Sequence, residues 1–308
     1  QAAQAQAYPQ LVEDVRSTVQ KILVWQKNDR LQVIIQHPLW QPVAEMLQQE
    51  FGARIIADYL DDFADFDHAD KENVRDMAVR MLKNADLTLA TSVYLAEKAR
   101  QSGSSKVELL RNGTDCAHFA CAAKQEKRAA GPWVVGYYGV LSTWFDCGKI
   151  EALSRSDLDI CIRLVGVSDE TVRRRLQQLA KVELWDAVPY DKLPEVLRDF
   201  DVCLIPFDAS TDLIKATNPV KFYEYLSAGK KVVATEIPEL MSYNGKYVYC
   251  ENDDDAFVEK VRRCLVGEDA LANWKTCMTF ARENDWKEKS KAMIFFLDEG
   301  CTSIAREE

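Results

Sequence analysis

The stretch DVCLIPFDASTDLIKATNPVKFYEYLSAGKKVVATE, residues 201–236, constrains the fold most, because two apolar runs flank one short helical pattern. It predicts a strand, a polar loop, a helix and a second strand. Asn218 suits the N-cap of the helix, Pro219 its first position, and Gly229 the left-handed position after its end. This order places the helix N-terminus at the carboxyl edge of a parallel sheet, where we expect a phosphate group to bind.

The rest of the chain repeats this alternation of strands and helices. Before residue 111, helices predicted near 9–28, 41–51, 70–84 and 93–101 alternate with the strands LQVII, ARIIA, DLTLATS and KVELL. A second series begins at WVVGYYG, includes a strand near KYVYC and a helix over DDAFVEKVRRCLV (254–266), and ends in helices covering about 268–298. Alternation at this spacing predicts an α/β fold with parallel sheets covered on both faces.

Residues 111–131 lose the periodicity and end in a polar, Ala-rich run, which is typical of a linker. We therefore expect a first domain at residues 1–127 and a second at residues 128–308. The final helices are expected to pack back toward the first domain. The two Rossmann-like domains would face each other across a cleft, where the carboxyl ends of their strands bind ligands.

Composition excludes several function classes. The formal net charge is −10 and no dense run of Lys or Arg occurs, which argues against a nucleic acid partner. Nine cysteines without a CxxC pair predict a reduced, cytoplasmic protein, and only three histidines make a histidine-rich metal site improbable. We expect no membrane span and no signal peptide. The acidic run DFADFDHAD fits no calcium loop and is interpreted as a solvated turn.

Three linked motifs carry a resemblance to a known family: TNPVKFYEYLSAGKKVVATEIPEL, LLRNGTDCAHF before the linker, and VVGYYGVLSTWFD opening the second domain. Together they resemble the family-four glycosyltransferases of the GT-B architecture, most of all the bacterial enzymes of cell-surface polysaccharide assembly. The resemblance runs from about residue 30 to about residue 295. It implies an N-terminal acceptor domain and a C-terminal nucleotide-sugar donor domain.

The resemblance implies that Glu224 accepts hydrogen bonds from the ribose diol of the donor, because a carboxylate offers acceptors to two vicinal hydroxyls. Lys221 would lie beside the diphosphate, and the helix opening at Pro219 and Val220 would stabilise the leaving group. The alternative is that Lys221 and Glu224 form an exposed i,i+3 pair. A second glutamate frequent in the family is absent here, since that position is Ala216.

Neutral groups would replace the second glutamate and the basic residues that many family members carry at this site. Thr217 and Asn218 are candidates for hydrogen bonds to the donor sugar or phosphate. The segment after the first strand of the second domain, which is often basic in the family, reads GVLSTWFD, so Gly139 and Ser142 would meet the phosphate. Trp144 and Phe145 are either a hydrophobic plug or a ligand wall.

The turn at Val188 and Tyr190 corresponds to main-chain groups that read the nucleobase in similar enzymes. The resemblance also implies no cofactor and no metal, because GT-B enzymes use a helix dipole and basic groups for the leaving diphosphate.

In the first domain, His37 directly follows a buried strand and Asp61 and Asp62 follow the next, so these residues are the catalytic candidates. A carboxylate there would orient hydroxyls, stabilise an oxocarbenium-like transition state or act as a base. Adjacent side chains on an extended segment point in opposite directions, so we expect one aspartate to face the cleft and the other to be solvated or to cap a helix. Asn112 is interpreted as part of a turn close to the phosphates.

Family members usually begin with a strand and a glycine-rich loop that precede the first strand visible here. We therefore expect either a fragment of a longer protein with other domains or a reduced acceptor domain. The leading hypothesis is a glycosyltransferase, hexosyltransferase-like, that uses a nucleotide-sugar donor and a glycan or lipid-linked acceptor in polysaccharide biosynthesis.

Two alternatives stay open: a non-catalytic nucleotide-sugar-binding module of a larger assembly protein, and a nucleotide-sugar epimerase. A lipid-linked acceptor would bring the protein to the inner face of a membrane, although no basic amphipathic segment marks peripheral contact.

Overall fold

The computed structural model describes residues 2–25, 31–63, 71–123 and 132–302. The chain divides into two compact units, Gln1–Leu110 and Arg111–Glu308. This division falls before residue 127, where we placed the domain boundary. Part of the predicted linker instead folds with the second unit: helix α5 (Cys116–Ala120) buries Cys116 and Phe119 in its core.

The first unit contains one parallel sheet of four strands in the order β1-β2-β3-β4. Its register pairs Ile34 with Ile56, and Leu89 with Glu108. Each crossover between neighbouring strands is a helix, as a parallel pairing requires. The elements are α1 (Ala2–Trp25), β1 (Gln32–Ile35), α2 (Gln41–Phe51), β2 (Arg54–Tyr59), α3 (Lys71–Asn84), β3 (Leu87–Ala90), α4 (Val93–Gln101) and β4 (Val107–Leu109).

The second unit contains a parallel sheet of six strands in the order β10-β9-β8-β5-β6-β7. Its strands are β5 (Trp133–Tyr138), β6 (Ile160–Val165), β7 (Val182–Trp185), β8 (Val202–Ile205), β9 (Lys231–Ala234) and β10 (Tyr249–Cys250). Its helices after α5 are α6 (Cys147–Arg155), α7 (Glu170–Leu176), α8 (Leu193–Asp199), α9 (Asp212–Ala216), α10 (Val220–Ser227), α11 (Pro238–Met241), α12 (Asp254–Val266), α13 (Trp274–Glu283) and α14 (Trp286–Thr302).

The direction of winding reverses between β5 and β8 in this second sheet. From β5 the chain proceeds outward through β6 and β7, and it then returns to β8 and proceeds the other way through β9 and β10. Ligands of open α/β sheets bind in the crevice outside the carboxyl ends of the strands at such a point. The topology alone therefore directs attention to the loops after β5, β6 and β8.

Helix α10 is the central helix of the second unit. The side chains of Phe222, Tyr223, Tyr225 and Leu226 have no exposed surface, so this helix is apolar on nearly all sides and buried in the core. It packs against α13 and against α5. Burying a polar side chain of such a helix without partners costs free energy, so the charged residues of α10 are candidates for contacts with a ligand.

Three details differ from the sequence prediction. The N-cap of α10 is Pro219 and lacks a side-chain hydrogen bond, so the N-cap role predicted for Asn218 is wrong. The predicted polar loop between β8 and α10 contains the short helix α9. The predicted strand KYVYC is reduced to Tyr249–Cys250. Gly229 follows α10 at φ 66°, in the left-handed region that was predicted for it.

The acidic run at residues 64–70, including His68, lies outside the described residues, so the prediction of a solvated turn is untested there. Within the described ranges, none of the helices combines the length and the apolar character that crossing a bilayer requires.

Candidate functional site

The floor of the candidate site is the main chain of two glycine loops that follow β5 and β6. Gly139 and Gly166 have φ values of 138° and 149°, which favour glycine. The Gly139 N–H donates to the Val165 carbonyl over 2.8 Å, and Gly166 lies against Gly139. A Cβ on Gly166 would collide with the Gly139 carbonyl oxygen and lie 2.8 Å from its carbonyl carbon. These contacts bring the two loops together without intervening side chains.

Lys221 lies across this floor. A Cβ on Gly139 would come within 2.8 Å of the Lys221 Nζ atom, and the ammonium stands 5.5 Å from the centre of the Tyr137 ring. Burial lowers the pKa of Lys221, and the nearby Glu224 carboxylate opposes that effect. Among the described residues, no carboxylate or carbonyl forms a salt bridge or hydrogen bond with this ammonium. The arrangement presents an unpaired positive charge to the cavity.

Glu224 stands one turn after Lys221 on α10 and is 7% exposed. Its Oε2 atom accepts a hydrogen bond of 2.9 Å from the Tyr138 hydroxyl. Burial raises the pKa of Glu224, whereas the Tyr138 hydrogen bond and the charges of Lys221 and His118 act in the opposite direction. Lys221 and Glu224 are neighbours on one helix face, but because Glu224 is buried they do not form the exposed surface pair given as the alternative.

These groups line a cavity of about 260 Å³ at the carboxyl ends of β5 and β6. Four of the predicted ligand residues lie in its wall: Gly139, Val188, Lys221 and Glu224. The complete lining is Tyr138, Gly139, Val140, Val165, Gly166, Val167, Ala187, Val188, Leu193, Lys221 and Glu224. The wall is therefore mostly apolar, with one cation and one carboxylate on the same helix.

Several other predicted ligand residues are held by contacts within the protein. The Ser142 hydroxyl donates to the Asp169 carboxylate. The Thr217 hydroxyl donates to the Leu213 carbonyl over 2.8 Å. Asn218 is 3% exposed, and Val220 is the first residue of α10, after the buried Pro219. None of these residues lines the cavity.

Asn218 joins the start of α10 to the segment after β4. Its side-chain oxygen accepts from the Asn112 N–H over 2.9 Å, and the Asn112 side-chain amide donates to the Asn218 carbonyl over 2.7 Å. The Asn218 amide also donates to the Tyr223 hydroxyl over 3.2 Å. Asn218 thus fixes the position of α10.

Tyr190 stands beside the cavity and outside its lining. Its ring stacks on the His118 ring at a centroid distance of 4.7 Å and an interplanar angle of 12°. The His118 Nε2 atom lies 3.0 Å from the Tyr190 carbonyl oxygen. Phe145 is 4% exposed, with its ring 5.1 Å from that of Tyr137, and belongs to the core.

Sequence reasoning did not single out Tyr138, His118 or Leu193. Tyr138 is the last residue of β5, so its position beside Gly139 was a usable signal. His118 lies in the segment predicted as a linker, and nothing in its local pattern indicates proximity to α10.

The first unit has its own polar cluster at the carboxyl ends of β1 and β2. The Gln36 side chain donates to the Asp58 carboxylate over 2.8 Å. The His37 Nδ1 atom accepts from the Leu39 N–H over 3.2 Å, and the His37 ring lies 4.6 Å from that of Phe63. His37 also lines an apolar groove of about 430 Å³ that includes Trp40.

Asp61 and Asp62 have different surroundings. Asp62 is 1% exposed, forms a salt bridge with Lys98 and accepts from the Tyr59 hydroxyl over 3.4 Å. The prediction did not say which of the two aspartates would be solvated or cap a helix, and Asp62 does neither. Burial, and secondly the Asp62 charge, raise the pKa of Asp61 to about 6. Of the two, Asp61 is the carboxylate that forms no salt bridge among the described residues.

Among the described residues, no group of three His, Cys, Asp or Glu side chains is arranged to hold a metal ion. Lys221 supplies positive charge at the cavity, and so does the N-terminal end of α10, which no side chain caps. Such a site is suited to an anion adjoining a hydroxyl-bearing group.

Comparison with known proteins agrees with this geometry. Residues 147–266 match the family described as "Glycosyl transferases group 1". Over 227 residues the chain is 24% identical to the "Putative teichuronic acid biosynthesis glycosyltransferase TuaH" of Bacillus subtilis (strain 168), covering 69% of this chain and 57% of that protein. The chain thus spans little more than half the length of this curated relative.

Two solved structures resemble the whole chain. One is Alr3699/HepE of Anabaena in complex with UDP, with a TM-score of 0.73, 16% identity, and coverage of 94% of this chain and 82% of that one. The other is sucrose-phosphate synthase of Thermosynechococcus elongatus, with a TM-score of 0.71, 17% identity, and coverage of 97% and 79%. Likenesses at this identity establish the fold. Residues 147–266 are thus similar to the glycosyl transferases group 1 family, and the fold of the chain is GT-B.

Proposed function

We propose that this protein is a glycosyltransferase that transfers a sugar from a uridine diphosphate sugar to a glycan or lipid-linked acceptor in polysaccharide assembly. One observation carries the proposal: Lys221 and Glu224 stand one turn apart on a buried helix and line the same cavity, whose floor is the main chain of Gly139 and Gly166. A cation and a carboxylate at that separation match the two polar parts of a nucleotide diphosphate.

The diphosphate would lie against Lys221 and the first turn of α10. The ammonium there has no anionic partner within hydrogen-bond distance among the described residues, and the first N–H groups of an uncapped helix are free to donate. Both features stabilise the charge that develops on the leaving diphosphate when the bond to the sugar breaks.

The ribose would lie against Glu224. The Tyr138 hydroxyl uses Oε2 of this carboxylate, and within the described part of the chain Oε1 has no donor. Two vicinal hydroxyls of a ribose supply the donors that a carboxylate accepts. The apolar wall at Val188 and Leu193 would contact the base.

The acceptor would be handled by the first unit. Asp61 is the strongest candidate for orienting or deprotonating an acceptor hydroxyl, because a carboxyl with a pKa of about 6 exchanges its proton near neutral pH. His37 is a second candidate, since it follows β1 at the same edge of the sheet. Asp62 is better suited to holding Lys98 than to catalysis.

The relatives support this choice of chemistry. HepE was solved in complexes with UDP, with UDP-glucose, and with UDP and glucose. TuaH is described as a glycosyltransferase of teichuronic acid biosynthesis. We transfer from these proteins the class of donor and the setting of polysaccharide assembly.

Calorimetric titration with UDP tests the donor site. Lys221→Met and Glu224→Gln are each expected to weaken UDP binding by about 10- to 100-fold, since a hydrogen bond to a charged group contributes about 1.5–3 kcal/mol. Glu259→Gln is the matched control, because Glu259 is an exposed residue of α12 whose partners are Arg262 and Arg263. It should bind UDP like the wild type.

Turnover is measured as UDP release from UDP-sugars with and without oligosaccharide acceptors. Wild-type affinity for UDP in both cavity variants would overturn the donor site. UDP binding without turnover of any donor would instead support a nucleotide-sugar-binding module. Conversion of the donor to its epimer without an acceptor would identify an epimerase.

A further inference from the structure

We propose that Tyr138 is a positioning residue for the donor: its hydroxyl holds Glu224 in the orientation that reads the ribose. The inference rests on the proposed function, because it concerns how the same site distinguishes one ligand from a close analogue. Tyr138 itself would act through Glu224.

Geometry is the first support. Tyr138 is the last residue of β5 and is 3% exposed, so its ring cannot move without disturbing the core. The ring packs against Tyr225 at a centroid distance of 5.1 Å and against Phe119 at 6.4 Å. Its hydroxyl donates to Glu224 Oε2 over 2.9 Å. A rigid donor from the sheet thus fixes a carboxylate on the neighbouring helix.

The division of the carboxylate oxygens is the second support. With Oε2 directed to Tyr138, Oε1 is the atom left for a ligand among the described residues. Without the tyrosine hydroxyl, the carboxylate would be free to rotate about its last torsion, which is broad for glutamate. The loss would therefore affect the contacts to the ribose hydroxyls more than those to the diphosphate.

Other charged and titratable groups also face Glu224. Lys221 lies on its own helix, His118 on α5, and Tyr190 on the turn after β7. Burial raises the pKa of Glu224, and the Tyr138 hydrogen bond lowers it. Removing that bond moves the pKa of Glu224 upward, so the carboxylate becomes protonated at a higher pH.

The experiment compares UDP with 2′-deoxyuridine diphosphate by calorimetry in wild type, Tyr138→Phe and Tyr249→Phe. The control Tyr249 is also buried, and its hydroxyl accepts from the Ala270 N–H over 2.8 Å, away from Glu224. We expect the wild type and Tyr249→Phe to prefer UDP by about tenfold, the effect of one well-placed hydrogen bond. In Tyr138→Phe the preference should fall to about twofold.

A pH series gives a readout that loss of packing would not produce. Ionised Glu224 accepts from the ribose, so UDP affinity falls as the pH drops through the pKa of Glu224 in the free protein. In Tyr138→Phe this fall should begin at a higher pH than in wild type. The same comparison in a His118→Gln background, which lacks the imidazole beside Glu224, should show the same direction.

The outcomes separate the two proposals. If the wild type does not bind UDP, the proposed function fails. If it binds UDP but Tyr138→Phe loses affinity equally for both nucleotides, with no change in the pH midpoint, the role of Tyr138 is overturned. Should Tyr138→Phe fail to fold, Tyr138→Met replaces it in the same measurements. The infrared carboxyl band of Glu224, assigned in wild type by its loss in Glu224→Gln, then reports the titration of Glu224 directly.

Discussion

The carboxyl edges of the two sheets treat charge in opposite ways. In the first unit, the buried Asp62 is paired with the ammonium of Lys98, whose side chain is partly exposed. In the second, the half-buried Lys221 lies over Gly139, and within the described residues no carboxylate forms a salt bridge with it. In the first arrangement the two charges are paired within the protein, whereas in the second we propose that a ligand supplies the anion. The comparison distinguishes an edge whose charges are paired within the folded protein from an edge that leaves a charge available to a ligand.

The largest expected effect comes from Gly166→Ala. The new methyl group would collide with the Gly139 carbonyl, and a backbone carbonyl cannot move aside like a side chain. We expect a loss of about 3 kcal/mol or more in the free energy of unfolding of the second unit, measured by chemical denaturation.

Gly245→Ala is the control, since Gly245 has φ 75° but no atom within 4 Å of the added Cβ. It should cost only about 1 kcal/mol, the strain of the left-handed conformation. Equal losses in the two variants would show that the contact between the glycine loops is not rigid.

Lys98→Met should destabilise the first unit by about 2 kcal/mol. It leaves the Asp62 carboxylate buried without its cation, and the cost is below that of a fully buried pair because Lys98 is about one third exposed. Denaturation at neutral pH measures the effect. Lys83→Met, at an exposed lysine of α3, is the comparison and should change stability by less than about 0.5 kcal/mol. A stable Lys98→Met variant would remove the contrast between the two edges.

Lys221→Met should leave the melting temperature of the ligand-free protein unchanged or raise it. Burial lowers the pKa of Lys221, which means that the folded state disfavours its charge, and methionine keeps most of the apolar stem. Thermal unfolding with and without UDP checks both halves of the argument. Stabilisation by UDP should shrink in the variant, whereas a lower melting temperature without ligand would indicate that Lys221 has a structural role.

The smallest effect concerns Asp61. Its pKa is raised to about 6 in the folded protein, so its contribution to stability is fully present below the unfolded pKa, near 4, and is lost as the pH rises to about 6. Asp61→Asn removes this dependence. The melting temperature of wild type relative to the variant should therefore fall between about pH 4 and pH 6. A constant difference across that range would mean that Asp61 titrates normally.

Much of the fold was predictable because parallel α/β sheets combine two clear periodicities. The helices at 41–51, 93–101 and 254–266 were predicted to within a residue or two, since each has an apolar face and flanking turn residues. The resemblance to GT-B glycosyltransferases is confirmed by the match over residues 147–266 and by the structural neighbours. The pattern missed α5, whose five residues are too few for a periodic signal.

Of the predicted ligand residues, those that line the cavity are Gly139, Val188, Lys221 and Glu224. Lys221 and Glu224 were singled out because their motif resembles that of GT-B glycosyltransferases, and their i,i+3 spacing places both side chains on one helix face. The N-cap role of Asn218 was predicted wrongly because its hydrogen-bond partners, Asn112 and Tyr223, depend on tertiary packing that local sequence does not encode. The pairing of Asp62 with Lys98 was not predicted, because it joins residues 36 positions apart.

The glycine floor has a consequence for engineering the choice of donor. Where Gly139 and Gly166 meet, the cavity presents peptide groups, so no side chain exists there to exchange for another. A ligand group that needs more room at this floor would have to be accommodated by altering the path of the loops, through insertions or deletions after β5 or β6. We therefore expect changes of loop length, more than point substitutions, to alter which groups fit against the floor.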